Sequence, residues 1–335
     1  MKLFFLSLGI ILFFSACSSR EYYEPEESKF FTPNTITTTP SYIQGKNANG
    51  ATLESQNIIT TQGISEVALP KGFYYLNHDE NTILAADSLT SLMIIGENNS
   101  TINLKRTAVA ATKENNLIAL VFSDNSIAIY DTNKDNFIFK EYAQHSFFND
   151  IRIASPIILK NIILFPTLDG KVLIVDKNTN QIIRTINIDP NSQVNNVILL
   201  TAIGDTLIAA TQNKIISVKD GAVKSLEFFI QNYYVSDKGI IYITKHDGTV
   251  ASFDANLNEL HSKKFKFAKF LTLNLDKQEN IYALELGGYL IKINPDFSKT
   301  TVYRFPLEDD EKMFAMKNKI YFENKILYLD INNTK

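Results

Sequence analysis

The sequence predicts an all-β fold, a single β-propeller of four-stranded antiparallel blades. Three observations carry the prediction. A unit of apolar strand, tight polar turn, second apolar strand, turn and third strand recurs along the chain. The residues that close the middle strand are Gly96, Asp131, Asp176, Lys219, Asp254, Asn294 and Asp330, at steps of 35 to 45 that average about 39. The apolar runs are rich in β-branched residues and lack a 3.6-residue period, which separates them from helical solenoid units of similar length. About 40 residues with three or four strands is the repeat of a propeller blade.

Composition narrows the function classes. The 335 residues are 45% hydrophobic and 21% charged, an ordinary globular balance. A formal charge of −3 leaves no basic excess to hold a nucleic-acid backbone. The single cysteine rules out an intrachain disulfide and a cysteine-rich zinc site.

In chain order, the first element is an address. Lys2 gives a positive start, Leu3 to Phe14 run apolar apart from Ser7 and Gly9, and small residues Ser15 and Ala16 follow. Twelve helical residues rise only about 18 Å, too short for a bilayer core of about 30 Å, and fit a signal-peptide core at residues 1–16. Phe14-Ser15-Ala16-Cys17 resembles the lipobox of bacterial lipoproteins, with Phe14 in place of the usual leucine. That resemblance implies cleavage before Cys17 and a diacylglycerol on its thiol. Acyl chains contribute about 0.8 kcal/mol per buried methylene, so several together anchor stably. Ser18 in place of an aspartate points, within that family, to the outer membrane facing the periplasm.

Residues 17–57 read as the lipidated cysteine and a flexible linker. Glu21, Glu24, Glu26 and Glu27 are acidic, residues 32–40 are rich in Thr and Pro, and no apolar period is present. A coil of ~35 residues would span about 30 Å. Tyr22 and Tyr23 stand in this linker with no core to enter, as membrane-proximal or partner-contacting side chains.

The propeller domain is read over residues 58–335. The clearest unit runs Ile162 to Phe165, through Asp169-Gly170, into Lys171 to Asp176. Asp-Gly between apolar runs marks a hairpin, read as a type I′ turn with both central residues at positive φ. Further copies turn at Asp124-Asn125, Asp247-Gly248 and Gly287-Gly288; shorter ones turn at Gln212-Asn213 and Glu323-Asn324; a weaker first copy turns at Asp87-Ser88. The count gives seven blades, with eight as the alternative if a degenerate blade lies in residues 50–80. The last unit lacks an outer strand, so an N-terminal strand, such as Ile58 to Thr61 or Val67 to Leu69, is expected to complete it and pin both chain ends.

These units resemble the pyrroloquinoline-quinone-like propeller repeats, and a lipoprotein made of one such propeller resembles the BamB type, a subunit of the outer-membrane β-barrel assembly machinery. The resemblance rests on Asp169, Gly170 and Asp176, on Asp247, Gly248 and Asp254, and on Asp124, Asn125 and Asp131. It implies an interaction scaffold. The family's Thr-Gly after the aspartate is replaced by Lys177-Asn178-Thr179-Asn180, and the family's tryptophan is absent. Aliphatic or Phe/Tyr packing must take its place, with Phe137, Phe139, Phe265 and Tyr303 in the right region.

Chemistry is sparse. His78, His145, His246 and His261 stand singly, without metal-ligand spacing. No nucleophile elbow, P-loop or HExxH motif occurs, so no catalytic residue, cofactor or metal is assigned. The acidic run Glu308-Asp309-Asp310-Glu311 is a partner-surface candidate that would steer a basic surface. Tyr233 and Tyr234, in an aromatic cluster with Phe228 and Phe229, are also partner candidates, as is the cluster His145 to Phe148. The expected function is a membrane-anchored periplasmic scaffold for protein–protein interaction. The alternatives are a periplasmic enzyme or small-ligand binder using the propeller channel, and a surface-exposed interaction lipoprotein.

Overall fold

A computed structural model describes residues 21–30, 36–143, 146, 150–192, 194–305, 307 and 313–330. Cys17, the signal peptide, Glu308 to Glu311, His145, Phe147 and Phe148 lie outside these residues. Among the described residues there is no helix long and apolar enough to cross a membrane; every regular element is a strand.

The strands form eight sheets, one per blade. Blade 1 spans Ile43–Ala68, blade 2 Phe73–Asn103, blade 3 Ala108–Tyr142, blade 4 Ile157–Asn187, blade 5 Leu199–Glu227, blade 6 Ile230–Lys264, blade 7 Phe270–Arg304 and blade 8 Met313–Tyr328. The expectation of seven is therefore corrected to eight. The unit that was not counted is blade 1, near the suspected segment. Its strands are short, and its middle turn, Glu54-Ser55-Gln56, carries no Asp-Gly pair.

Blade 8 contributes three strands of its own, and Ile36–Thr38 supplies the fourth, antiparallel to Lys325–Leu327. An N-terminal strand does close the last blade, but it comes earlier in the chain than expected. Segment 36–57 is thus folded, and the linker expected to reach residue 57 gives way to blade well before that point. Lys29–Phe30 adds a fifth, parallel strand outside blade 7, paired with Tyr303 and Arg304.

Each interblade seam holds one apolar cluster, eight in all, including a cluster of Ile43, Leu53 and Ile59 of blade 1 with Phe314 and Tyr321 of blade 8 that shuts the ring. Fully burying one such side chain contributes about 1.5–3 kcal/mol, so closure is driven by shape and apolar area. Phe137, Phe139, Phe265 and Tyr303 all pack at seams, replacing the missing tryptophans.

The hairpin turns differ in type from the expectation. Gly170, Gly248 and Gly288 have φ of 76°, 86° and 82°, and Asn125 has 63°, but Asp124, Asp169, Asp247 and Gly287 are not left-handed. The bonds from Gly248 N to Lys245 O and from Asn125 N to Phe122 O close a four-residue turn whose last residue alone is left-handed. This is a type I turn followed by a left-handed residue, the other common hairpin connection.

Candidate interaction face and axial channel

In an antiparallel meander the turn between the second and third strands lies at the same end as the connection to the next blade. Asp169-Gly170, Asp247-Gly248 and Gly287-Gly288 are such turns, so the topology gathers them on one face. Bonds between turns and connections hold the face together: Phe265 N to Gly248 O at 2.8 Å, Phe305 N to Gly288 O at 2.8 Å, and Val197 N to Thr167 O at 3.0 Å. Asn125 does two jobs there. It accepts positive φ, and its Oδ1 accepts a bond from Leu168 N of the next blade at 2.6 Å. Burial pushes the Asp169 carboxyl up, but Lys171, Thr167 and Asn125 outweigh it and hold the group below the usual carboxylate range. Asp247 is held low in the same way by Lys264 and Thr249.

This face is also where apolar surface stays in water. Among the described residues, Tyr22, Phe30, Tyr42, Leu89, Tyr142, Ile151, Phe229 and Leu286 are large, exposed and at this end, with Ile151 77% and Leu89 68% exposed. At the turns of the opposite face, among the described residues, only Leu159 is comparably exposed; the outer strands carry Ile183, Val223 and Leu260. An apolar bias to one end makes this face the candidate contact surface, since singly scattered exposed residues need no explanation.

The channel is lined by the first strand of each blade. Asparagines on these strands donate to the backbone of the next blade: Asn47 to Tyr75 O, Asn77 to Ala111 O, Asn232 to Phe270 O at 2.9 Å and Asn274 to Lys319 O at 2.8 Å. Lys46 completes the seam to blade 8 by donating to Met313 O at 2.6 Å. Sequence reading missed these rungs. Their only signal is an asparagine in four of the eight first strands, a residue type that strands disfavour.

Contacts between blades that are not neighbours narrow the channel. Arg152, in the connection from blade 3 to blade 4, grips Asp150 and donates to Gln231 O of blade 6 at 2.7 Å. Asn49 of blade 1 donates to Ser155 Oγ at 2.7 Å. A cavity of about 190 Å³ remains, lined by Lys46, Arg152, Asn232, Tyr233, Leu271 and Phe314 among others. Burial lowers the Lys46 ammonium, although its side chain still reaches channel solvent.

Of the expected partner residues, Tyr233 and Tyr234 prove not to be loop residues. They lie on the first strand of blade 6, half-buried, and Tyr233 donates to Ile198 O at 2.6 Å. Burial pushes the Tyr233 hydroxyl up to about 12 against the opposing Arg152 guanidinium, with a smaller push from the Asp150 carboxylate. Phe229 is the exposed member of that cluster. Tyr23 is likewise corrected, because it does find a core. It packs edge-on to Phe265 and Tyr289 at 6.0 and 5.7 Å between blades 6 and 7. Tyr22 stays exposed.

The three described histidines do not converge. His78 shares a bond with the Tyr75 hydroxyl at 2.6 Å, His246 sits beside Lys269 and Phe229, and His261 stacks on Phe297. Among the described residues no group of three or more His, Cys, Asp or Glu is placed to hold a metal ion.

These features define an eight-bladed β-propeller whose described exposed apolar side chains concentrate at one face. The fold is BamB-like: BamB from Moraxella catarrhalis superposes with a TM-score of 0.64 over 87% of this chain and 98% of that one, at 13% identity. A chain of the mitotic checkpoint complex matches with a TM-score of 0.53 over 93% of this chain and 96% of that one, at 10% identity. No family model matches. By sequence, the whole chain is 28% identical to the plasminogen-binding protein PgbB of Helicobacter pylori, strains J99 and 26695, and spans 72% of that protein.

Proposed function

We propose that this protein is a lipid-anchored cell-envelope scaffold that binds a protein partner through the face carrying the second-to-third-strand turns. One observation carries the reading: among the described residues, exposed apolar side chains concentrate at that face while the opposite turns are nearly free of them. A propeller whose channel is bridged by side chains, and whose described residues hold no His, Cys, Asp or Glu group placed for a metal, fits a surface to be touched better than a site for chemistry. The BamB-like fold supports a scaffold role, and barrel assembly is the first partner class to test. The anchor on Cys17 would raise the partner's effective concentration by confining both to one surface.

A second reading of the partner is favoured by the sequence match to PgbB along the whole chain. Under it the face binds an extracellular protein such as plasminogen, and the propeller is surface-exposed. One experiment separates the two. The tagged lipoprotein, extracted in mild detergent, is probed for barrel-assembly subunits and, separately, for binding of purified plasminogen, with protease accessibility on intact cells as the third arm. The pair Leu89→Asp and Ile151→Asp should abolish whichever binding is found and leave the melting temperature unchanged. Binding that survives both substitutions would overturn the assignment of the face.

A further inference from the structure

The stretch ahead of blade 1 is bound to the propeller at three places. Tyr23 fills a notch between Phe265 and Tyr289, Lys29–Phe30 pairs along the outer edge of blade 7, and Ile36–Thr38 completes blade 8. The notch lies at the interaction face, because Phe265 follows the last strand of blade 6 and Tyr289 follows the Gly287-Gly288 turn. The chain therefore leaves the folded body toward Cys17 at the rim of that face, between blades 6 and 7. Only five residues lie between Tyr23 and Cys17, six steps along the chain. Six steps reach at most about 20 Å, far less than a coil counted from residue 57 would allow.

The rim at that exit has a suitable surface. The connection from blade 6 to blade 7 reads Lys263-Lys264-Phe265-Lys266-Phe267-Ala268-Lys269-Phe270. Phe265 and Phe270 are buried, while Lys264 and Lys266 are exposed. Leu286, Phe229 and Phe30 are exposed around them, at 44%, 40% and 87%. Lys264 pairs with Asp247 at 2.9 Å and Lys269 donates to His246 O at 2.9 Å, so Lys266, which lies over the Phe267 ring, is the lysine most available to an outside anion. The strap's own Glu21, Glu24, Glu26 and Glu27 offset part of this charge. The short leash, rather than electrostatics, must then hold the rim down, with lysines and apolar side chains setting its orientation.

We propose that the rim of blades 6 and 7 carrying Phe229, Lys266, Phe267 and Leu286 rests on the phospholipid surface. The propeller is docked edge-down by the Tyr23 strap and leaves the rest of the face, at Leu89, Tyr142 and Ile151, to a partner. This rests on the reading of Cys17 as the anchor, and the test keeps the two apart. The chain from Cys17 has one thiol and no tryptophan. Its thiol is coupled to a maleimide lipid in phosphatidylcholine–phosphatidylglycerol vesicles bearing dansyl headgroups, and a single tryptophan is introduced by Leu286→Trp at the rim or Asn133→Trp on the opposite face. Energy transfer to the headgroups should be several-fold greater for L286W than for N133W. Adding Tyr23→Ser to L286W, with the β-sheet circular dichroism retained, should bring its transfer down toward the N133W level. Equal transfer from the two tryptophans, or a signal that Tyr23→Ser does not move, overturns the proposal. Natural acylation is read separately, from the mass of the protein extracted from envelopes. An unacylated Cys17 would sink the anchor reading without touching the vesicle result.

Discussion

Gly248 shows how one backbone position governs a turn. At a φ of 86°, a Cβ there would stand 2.1 Å from the carbonyl oxygen of Phe265, which is backbone and cannot swing away. Gly248→Ala should cost at least about 2 kcal/mol, through left-handed strain plus the clash, and a denaturant melt would measure it. The turn aspartates make a second residue-scale prediction. Asp176 accepts from Thr179 N and Asn178 N, and these bonds hold its carboxyl low. Burial raises the carboxyls of Asp79, Asp254 and Asp330, yet turn N–H groups and lysines outweigh it and leave all three below the ordinary range. A carboxyl lowered in the folded state stabilises fully above its unfolded value and loses that contribution as pH falls. Thermal stability should therefore hold above about pH 5 and decline steeply below about pH 4. Burial raises Glu285 despite its bonds from Gly287 N and Lys269 N, so its contribution runs the other way and grows on acidification. Asp254→Asn should flatten the acid limb of the melting-temperature curve; an unchanged limb would remove these carboxyls as its cause.

At the level of the strand, the asparagine rungs and the closing strand do different work. The rungs tie neighbouring blades along the channel wall without apolar burial. Asn77→Ala removes two donor bonds, to Ala111 O and Thr112 Oγ1, and should cost about 1–2 kcal/mol while leaving the partner-facing loops in place. Ile36 packs on the seam between blades 7 and 8 and pairs opposite Leu327. Ile36→Ala should cost about 1–3 kcal/mol and, because it loosens the closure, should raise amide exchange first in blade 8. Uniform exchange around the ring would show instead that the blades unfold as one unit. Strands were the most legible part of the sequence, since alternating β-branched runs between turn residues read directly as blades. Blade 1 escaped because its strands are short and its middle turn, Glu54-Ser55-Gln56, has no Asp-Gly pair. The closing strand Ile36–Thr38 escaped because three residues without alternation carry no pattern of their own; only the partner strand makes them a strand.

For the whole molecule, the repeat period disclosed the toroid, but sequence reading could not count a blade that does not look like its neighbours. The candidate surface was half legible. Asp-Gly positions foretold which turns exist, and topology then placed them on one face. Tyr233 and Tyr234 read as surface because a local aromatic run does not say which strand lines a channel. Tyr23 read as membrane-proximal or partner-contacting because its notch is built from residues more than 240 positions away. The fold also answers the missing tryptophan, since phenylalanines and a tyrosine reached the same seams from different positions.

The strand that completes blade 8 and the strand it pairs with, Ile36–Thr38 and Lys325–Tyr328, stand about 290 positions apart in the chain. Until the second of them exists the first has nothing to clasp, so ring closure waits on the last blade and belongs among the slow contacts of folding.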